Sequence, residues 1–256
     1  MRNNLAPICL FTYNRLEETK QTVEALQSNL LANESELFVF SDGSKNERDA
    51  IKVDTVRDYL NIITGFNRVT INEAKENKGL ANSIIAGVTE IIEKYGKVIV
   101  LEDDLITSRN FLEYMNQALD YYEYNMNIFS ISGFTMNLPS LDNTDKDYYL
   151  GYRNSSWGWG TWKDRWEKID WSASGWQKTL YNPIFHYKFM RGGSDMPYML
   201  WKQMQGKIDS WAIRLGFDQF KKDKLTVYPT KSKVINIGFG ESATHTKKTK
   251  SFQHIS

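Results

Sequence analysis

The sequence predicts an α/β fold built on a mostly parallel sheet, and three observations carry that expectation. Short apolar runs alternate with amphipathic helical patterns through residues 1–135, and such alternation implies right-handed crossovers between parallel strands. The run Lys97-Val-Ile-Val-Leu holds four consecutive apolar residues and reads as a strand buried on both faces, as strands are when helices cover both sides of a sheet. It drives straight into Glu102, Asp103 and Asp104. Ligands bind at that C-terminal edge in open α/β sheets, and three adjacent carboxylates repel one another unless a cation or a row of donors offsets them. A hard divalent ion with substrate phosphates is one solution. An acidic loop capping the next helix through Thr107 or Ser108 is the plainer one.

The elements follow in order. Pro7 to Tyr13 is a strand, and after Asn14-Arg15 comes a helix with apolar positions at Leu16, Val23, Leu26 and Leu30, the spacing of one buried face. Leu37 to Phe40 is a second strand, ended by the turn residues Ser41-Asp42-Gly43-Ser44. A helix through Ile51, Val53, Val56, Tyr59 and Leu60 leads to a third strand over Arg68 to Asn72. Glu76-Asn77-Lys78-Gly79 then turns the chain into a helix faced by Leu80, Ile84, Val88, Ile91 and Ile92. The acid-tipped strand is fourth, followed by a helix with Phe111, Leu112, Met115, Leu119 and Tyr122 and a fifth strand at Ile128 to Ile131.

Beyond Met136 the alternation stops. Residues 137–147 read as a loop, and Trp157-Gly158-Trp159-Gly160-Thr161-Trp162 opens an aromatic stretch that is either core or a platform for flat ligands. One long helical pattern spans Asp195 to Phe220 and includes Gly206 and Asp209; Leu225 to Tyr228 is a short strand, and Asn236 to Gly240 a flexible turn with His245 beyond. The expected organisation is a ligand-binding half, 1–135, and an aromatic cap, 136–256, in one continuous domain.

Composition narrows the function. Basic and acidic residues nearly cancel, 32 against 31, which argues against nucleic-acid binding. Cys9 is the single cysteine, so no intrachain disulfide forms, and its place in an apolar strand suits packing. No apolar run approaches the roughly 18 residues that span a bilayer, and the N-terminus does not read as a signal peptide. The chain is expected to be soluble and cytoplasmic, at most peripheral at a membrane.

Thr-Tyr-Asn-Arg at 12–15, Ser-Asp-Gly-Ser at 41–44, Asn-Lys-Gly at 77–79 and Glu-Asp-Asp at 102–104, in this order and spacing, resemble the GT-A nucleotide-sugar glycosyltransferases of the family 2 type. The Asn-Arg pair and Glu-Asp-Asp-Leu are also similar to N-acetylglucosaminyltransferase I. The resemblance implies a GT-A fold and a metal-dependent, inverting glycosyltransferase of the hexosyltransferase class. Such an enzyme moves a sugar from a nucleoside diphosphate, here expected to be UDP, to a glycan or lipid-linked glycan hydroxyl in polysaccharide or glycoconjugate synthesis. It further implies donor binding by Thr12, Asn14, Arg15, Asp42, Gly79, Glu102 and Asp103, with Asp42 reading the base and Glu102 reaching the ribose. Asp104 is then the direct ligand of Mn²⁺ or Mg²⁺, as hard oxygens suit those ions, and His245 either completes the shell or is a surface histidine.

Each residue also has a plainer role. Asp42 makes a turn, Arg15 is a surface cation, and Gly79 starts a helix. Lys247, Lys248 and Lys250 form a solvated tail or touch phosphate or an anionic membrane surface. An inverting transfer needs a carboxylate on the acceptor side, and the expected base is Asp209, partly desolvated at a helix start, with Asp195 in reserve. Asp209 alternatively caps that helix. Trp157 and Trp159 are the tryptophans expected to be exposed to an acceptor. Two other classes fit less well: a nucleotidyltransferase lacks its basic glycine-rich loop here, and a sugar-binding module leaves the acids without purpose.

Overall fold

The computed structural model describes residues 5–238. Its first half runs β1 (Ile8–Thr12), α1 (Leu16–Gln27), β2 (Glu36–Ser41), α2 (Glu47–Leu60), β3 (Arg68–Glu73), α3 (Leu80–Tyr95), β4 (Lys97–Glu102), β5 (Leu105–Thr107), α4 (Phe111–Tyr121) and β6 (Ile128–Ser132). The second half adds β7 (Tyr148–Gly151), β8 (Trp159–Trp162), α5 (Lys163–Trp166), α6 (Gln177–Tyr181), α7 (Pro183–Phe189), α8 (Met196–Met204), α9 (Trp211–Lys221), β9 (Leu225–Pro229) and β10 (Val234–Asn236).

Eight strands form one sheet in the order β3-β2-β1-β4-β8-β6-β9-β7, and β10 and β5 form a separate pair. The strands β3, β2, β1 and β4 are mutually parallel, so their C-terminal tips share an edge. Alternating side chains explain why β1 and β4 read as unbroken apolar runs. Ile8, Leu10, Ile99 and Leu101 pack with α1, α2 and α4 on one face, while Cys9, Phe11, Val98 and Val100 pack with α3 on the other. Both faces are covered, as a parallel strand requires. Cys9 is fully buried, in keeping with packing. Among the described residues no helix is long and apolar enough to cross a membrane.

Two expectations fail in the aromatic half. Trp159 is 2% exposed: β8 inserts antiparallel between β4 and β6, and the indole of Trp159 stacks on Trp211 at 5.0 Å and Trp166 at 5.8 Å. A four-residue strand with a central glycine carries too little pattern to be read as one, yet its place in mid-sheet buries all four residues. Trp157 is half-buried, edge-on to Phe134 at 4.4 Å. The helix expected over Asp195 to Phe220 is two helices, broken at Gly206, whose φ is +67°, with Ser210 capping the second by accepting from the Ile213 amide.

Because the Trp159 stack joins β8 to α5 and α9, Trp159→Ala is expected to destabilise the fold by about 3–5 kcal/mol. Urea denaturation of the variant measures this, and a midpoint equal to that of the parent chain would mean the stack is not a keystone of the core.

Candidate active site

The acid turn between β4 and β5 is held by two distant segments. From α1, the buried Thr22 hydroxyl donates to the Asp103 carbonyl at 2.9 Å and accepts from the Leu105 amide at 3.1 Å. Arg15, at the N-terminal end of the same helix, donates from Nη2 to Asp103 Oδ1 and, at 3.1 Å, to Asp104 Oδ2. From the far end of the described chain, the Ile237 amide donates to the Asp104 carbonyl at 2.9 Å, and the Asn236 amide group reaches Asp104 Oδ1 at 3.4 Å. Gly238 lies so close that a Cβ there would run into Asp104 Oδ2, so glycine lets this segment cross the carboxylate without displacing it. The stretch expected to be a flexible turn is, up to Gly238, the lid of the acid turn. Its signal in the sequence was slight, since β5 and β10 are three residues each.

Charge at this tip is incompletely offset. Burial, followed by the nearby charges of Asp104 and Asp103, raises Glu102 well above the carboxylate range although Arg15 opposes this. Burial also raises Asp103 to about 6 against the pull of Arg15. Arg15 itself is held more firmly protonated by the two aspartates than burial alone would allow. Asp103 Oδ2 is buried without a hydrogen-bond partner.

Among the described residues no three His, Cys, Asp or Glu side chains gather as a metal cage. The donors still suit a divalent ion of the Mg²⁺ kind, which binds through one or two carboxylates and completes its shell with substrate phosphates and water. His245 lies outside the described residues.

Next to the acid turn, Asp42 (8% exposed) ties the tip of β2 to the loop before α3. Its carboxylate accepts from the amides of Gly43, Lys78 and Gly79, each at 2.9 Å, and from the Asn77 side chain at 3.1 Å. Four donors fill the roughly four lone-pair sites of a carboxylate. Gly79 has φ +76° and sits at the N-terminus of α3, a conformation that favours glycine. A cavity of about 320 Å³ opens beside Asp42, walled in part by Phe40, Ile71, Asn72, Lys78 and Glu90. At the tip of β1 the Thr12 hydroxyl is buried with no partner. Asn14 is turned away toward α2, where Asp49 accepts its amide at 3.0 Å and the Tyr13 hydroxyl at 3.1 Å.

The two candidate bases differ. Asp195 is gripped at both oxygens by Arg153, at 2.7 and 2.9 Å; burial pushes its pKa up, but Arg153 outweighs this and holds it below the usual range. The structure thus makes the reserve candidate a poor proton acceptor. Asp209 makes one longer contact, 3.3 Å, to Arg214. Its side chain is 59% exposed rather than partly desolvated, and Ser210 does the capping. It faces the N-terminus of α3: a Cβ on Gly79 would lie 4.0 Å from Asp209 Oδ2. Trp159 is withdrawn as an acceptor contact by its burial.

The sequence profile of Glycosyl transferase family 2 matches residues 8–196. The chain belongs to this family. Its mostly parallel sheet with helices on both faces accords with the GT-A fold. No curated protein matches it in sequence. Solved structures similar to this family 2 chain include the galactosyltransferase LgtC in complex with donor and acceptor sugar analogues, 11% identical over 86% of this chain and 72% of that one, TM-score 0.44. S. aureus TarS 1–349 is 12% identical over 61% of this chain and 47% of that one, TM-score 0.41. The mannosyltransferase PcManGT from Pyrobaculum calidifontis, in complex with GDP-Man and Mn²⁺, is 13% identical over 50% and 37%, TM-score 0.35. The chain thus spans less than half the length of the last two. The likeness to N-acetylglucosaminyltransferase I rests on the motifs alone, and Asp209 lies beyond the family match.

The raised carboxyls set a pH dependence. Between the ordinary carboxylate range and the raised values the folded chain binds more protons than the unfolded chain, so stability falls as pH rises through about 6 and above. Without added metal, Glu102→Gln is expected to flatten that fall in a pH series of thermal melts taken in EDTA. An unchanged slope would show that Glu102 is not a source of the strain.

Proposed function

We propose that this family 2 protein transfers a sugar from a nucleoside diphosphate, UDP being the base-compatible choice, to a glycan or lipid-linked glycan hydroxyl with inversion, in polysaccharide or glycoconjugate synthesis. The observation that carries this is the convergence of Arg15, Asp103 and Asp104 at the tip of β4 beside the Asp42-anchored loop. Asp104 would hold Mn²⁺ or Mg²⁺, which when bound neutralises charge on the diphosphate. Arg15 keeps the acid pair aligned and presents its remaining donors to phosphate. Glu102 serves a ribose hydroxyl, and the free Thr12 hydroxyl a further polar atom of the donor. A base N–H would reach Asp42 by replacing Asn77, the one side-chain donor among its four partners.

On the acceptor side, Asp209 takes the proton of the incoming hydroxyl while that oxygen bonds the anomeric carbon and the bond to the diphosphate breaks, its electron pair leaving with the diphosphate. One displacement inverts the centre. Trp157 offers the remaining indole for the acceptor, and Asn14 supports the site through Asp49 instead of touching donor. The cytoplasmic setting expected from the sequence suits a nucleotide-sugar donor.

Calorimetry of UDP with and without Mn²⁺ tests the donor half: Asp104→Asn is expected to lose the Mn²⁺-dependent part of the affinity, and retention of that part removes the metal from Asp104. Asp42→Ala should weaken UDP by about 1–3 kcal/mol while affecting pyrophosphate less; equal losses would confine Asp42 to shaping the loop. For the base, Asp209→Asn is expected to cut turnover by about 10²-fold or more with donor affinity nearly unchanged, and turnover close to that of the parent chain would reassign the base.

A further inference from the structure

The stretch from Trp171 to Ile208 departs from the charge balance of the chain. It carries five Lys or Arg residues, 178, 188, 191, 202 and 207, against one acid, Asp195, whose carboxylate is taken by Arg153. Among the described residues none of those five cations has a carboxylate partner: Arg191 stacks on Tyr152, Lys202 on Tyr198 and Lys207 on Trp201.

Within this basic region α7 is apolar on two sides. Phe185 and Phe189 turn inward onto α9, with ring centroids 5.0 and 4.9 Å from Phe220. Ile184 and Tyr187, one turn apart on the same helix, are 69% and 73% exposed, and Tyr181 at the end of α6 is 83% exposed. Lys178 and Lys188 flank them and are themselves exposed.

Exposed tyrosines and an aliphatic side chain flanked along the chain by Lys178 and Lys188, neither of which has a carboxylate partner among the described residues, form the pattern of a surface that settles in a headgroup layer, the rings at the interface and the cations against anionic lipid. A second copy of this chain is a poorer occupant, because a two-fold contact through this face would set unpaired cations against their own copies.

We infer that the α6–α7 face, with Tyr181, Ile184 and Tyr187 as its apolar contacts and Lys178 and Lys188 beside them, docks the protein on an anionic membrane surface. The inference does not rest on Lys247, Lys248 and Lys250, which lie outside the described residues, nor on the glycosyl-transfer reading, since vesicle binding is measured without donor.

The test is co-sedimentation of the full chain with vesicles of phosphatidylcholine alone and of phosphatidylcholine with phosphatidylglycerol, at low and high salt. Binding is expected for the anionic vesicles, weakened by salt. The Ile184→Ser/Tyr187→Ser variant and the Lys178→Gln/Lys188→Gln variant should each bind about tenfold more weakly, with melting temperatures and UDP affinity unchanged. The inference is overturned by absence of binding to anionic vesicles, by patch variants that bind as the parent does while Lys247→Gln/Lys248→Gln/Lys250→Gln abolishes binding, or by a dimer in solution that Ile184→Ser/Tyr187→Ser converts to a monomer.

Discussion

The structure at the sheet edge depends on one guanidinium. Three consecutive acids at the end of a doubly buried strand is an arrangement that burial and mutual repulsion both oppose, and among the described residues only Arg15 brings a full positive charge to them. Its side chain is 18% exposed, and those of Asp103 and Asp104 5% and 11%, so water screens the cluster little. Removing one partner of a buried pair typically costs about 3–5 kcal/mol, because the other charge stays behind. The pair is therefore better regarded as the condition for keeping carboxylates at this edge than as a source of net stability.

That condition explains the local architecture. Arg15 is in reach because β1 and β4 are neighbours in the parallel sheet and only three residues separate the end of β1 from the start of α1. Thr22, two turns along the same helix, fastens the backbone of the acid turn. With the turn fixed from one side by α1, the segment from Asn236 to Gly238 closes it from the other. Three positive charges would be needed to balance three ionised acids, and among the described residues one is present, so two are missing. Burial first, and that charge deficit after it, raise the proton affinity of Glu102 and Asp103. The deficit is also the electrostatic reason a dication with a diphosphate suits the place: the ion brings the missing positive charge together with ligands of its own.

The parallel half was legible because its physics is local. Apolar runs, helical periodicity and turn residues each occupy a few adjacent positions, and the acids stand where a strand tip must be. The order of Thr12, Asp42, Gly79 and Glu102 along the chain follows directly from successive β-α units. What the sequence concealed depends on contacts between distant segments. Trp159 sits among glycines as an exposed loop residue would, and its burial is decided by β8 entering between β4 and β6. Asp42 signals a turn in sequence, but its four donors come partly from residues 77–79. The lid at Gly238 has no period and no charge to announce it.

The same distinction separates the two acids proposed for the acceptor side. Sequence ranks Asp209, at a helix start among apolar residues, above Asp195 in the loop of Gly192 and Gly193, but local pattern does not show what either carboxylate touches. Packing does. Arg153 fits both oxygens of Asp195 with a planar fork, the geometry that most strongly favours a carboxylate remaining ionised and in place. Asp209 follows the break between α8 and α9, so the hydroxyl of Ser210 serves the helix end and leaves the neighbouring carboxylate unneeded for capping. Its single contact to Arg214 is long and at the surface, where such a pair contributes about 0–1 kcal/mol and yields readily to another partner. The helix break at Gly206, which ends the apparent single helix of the sequence, is thus what delivers an uncommitted carboxylate to the edge opposite Gly79.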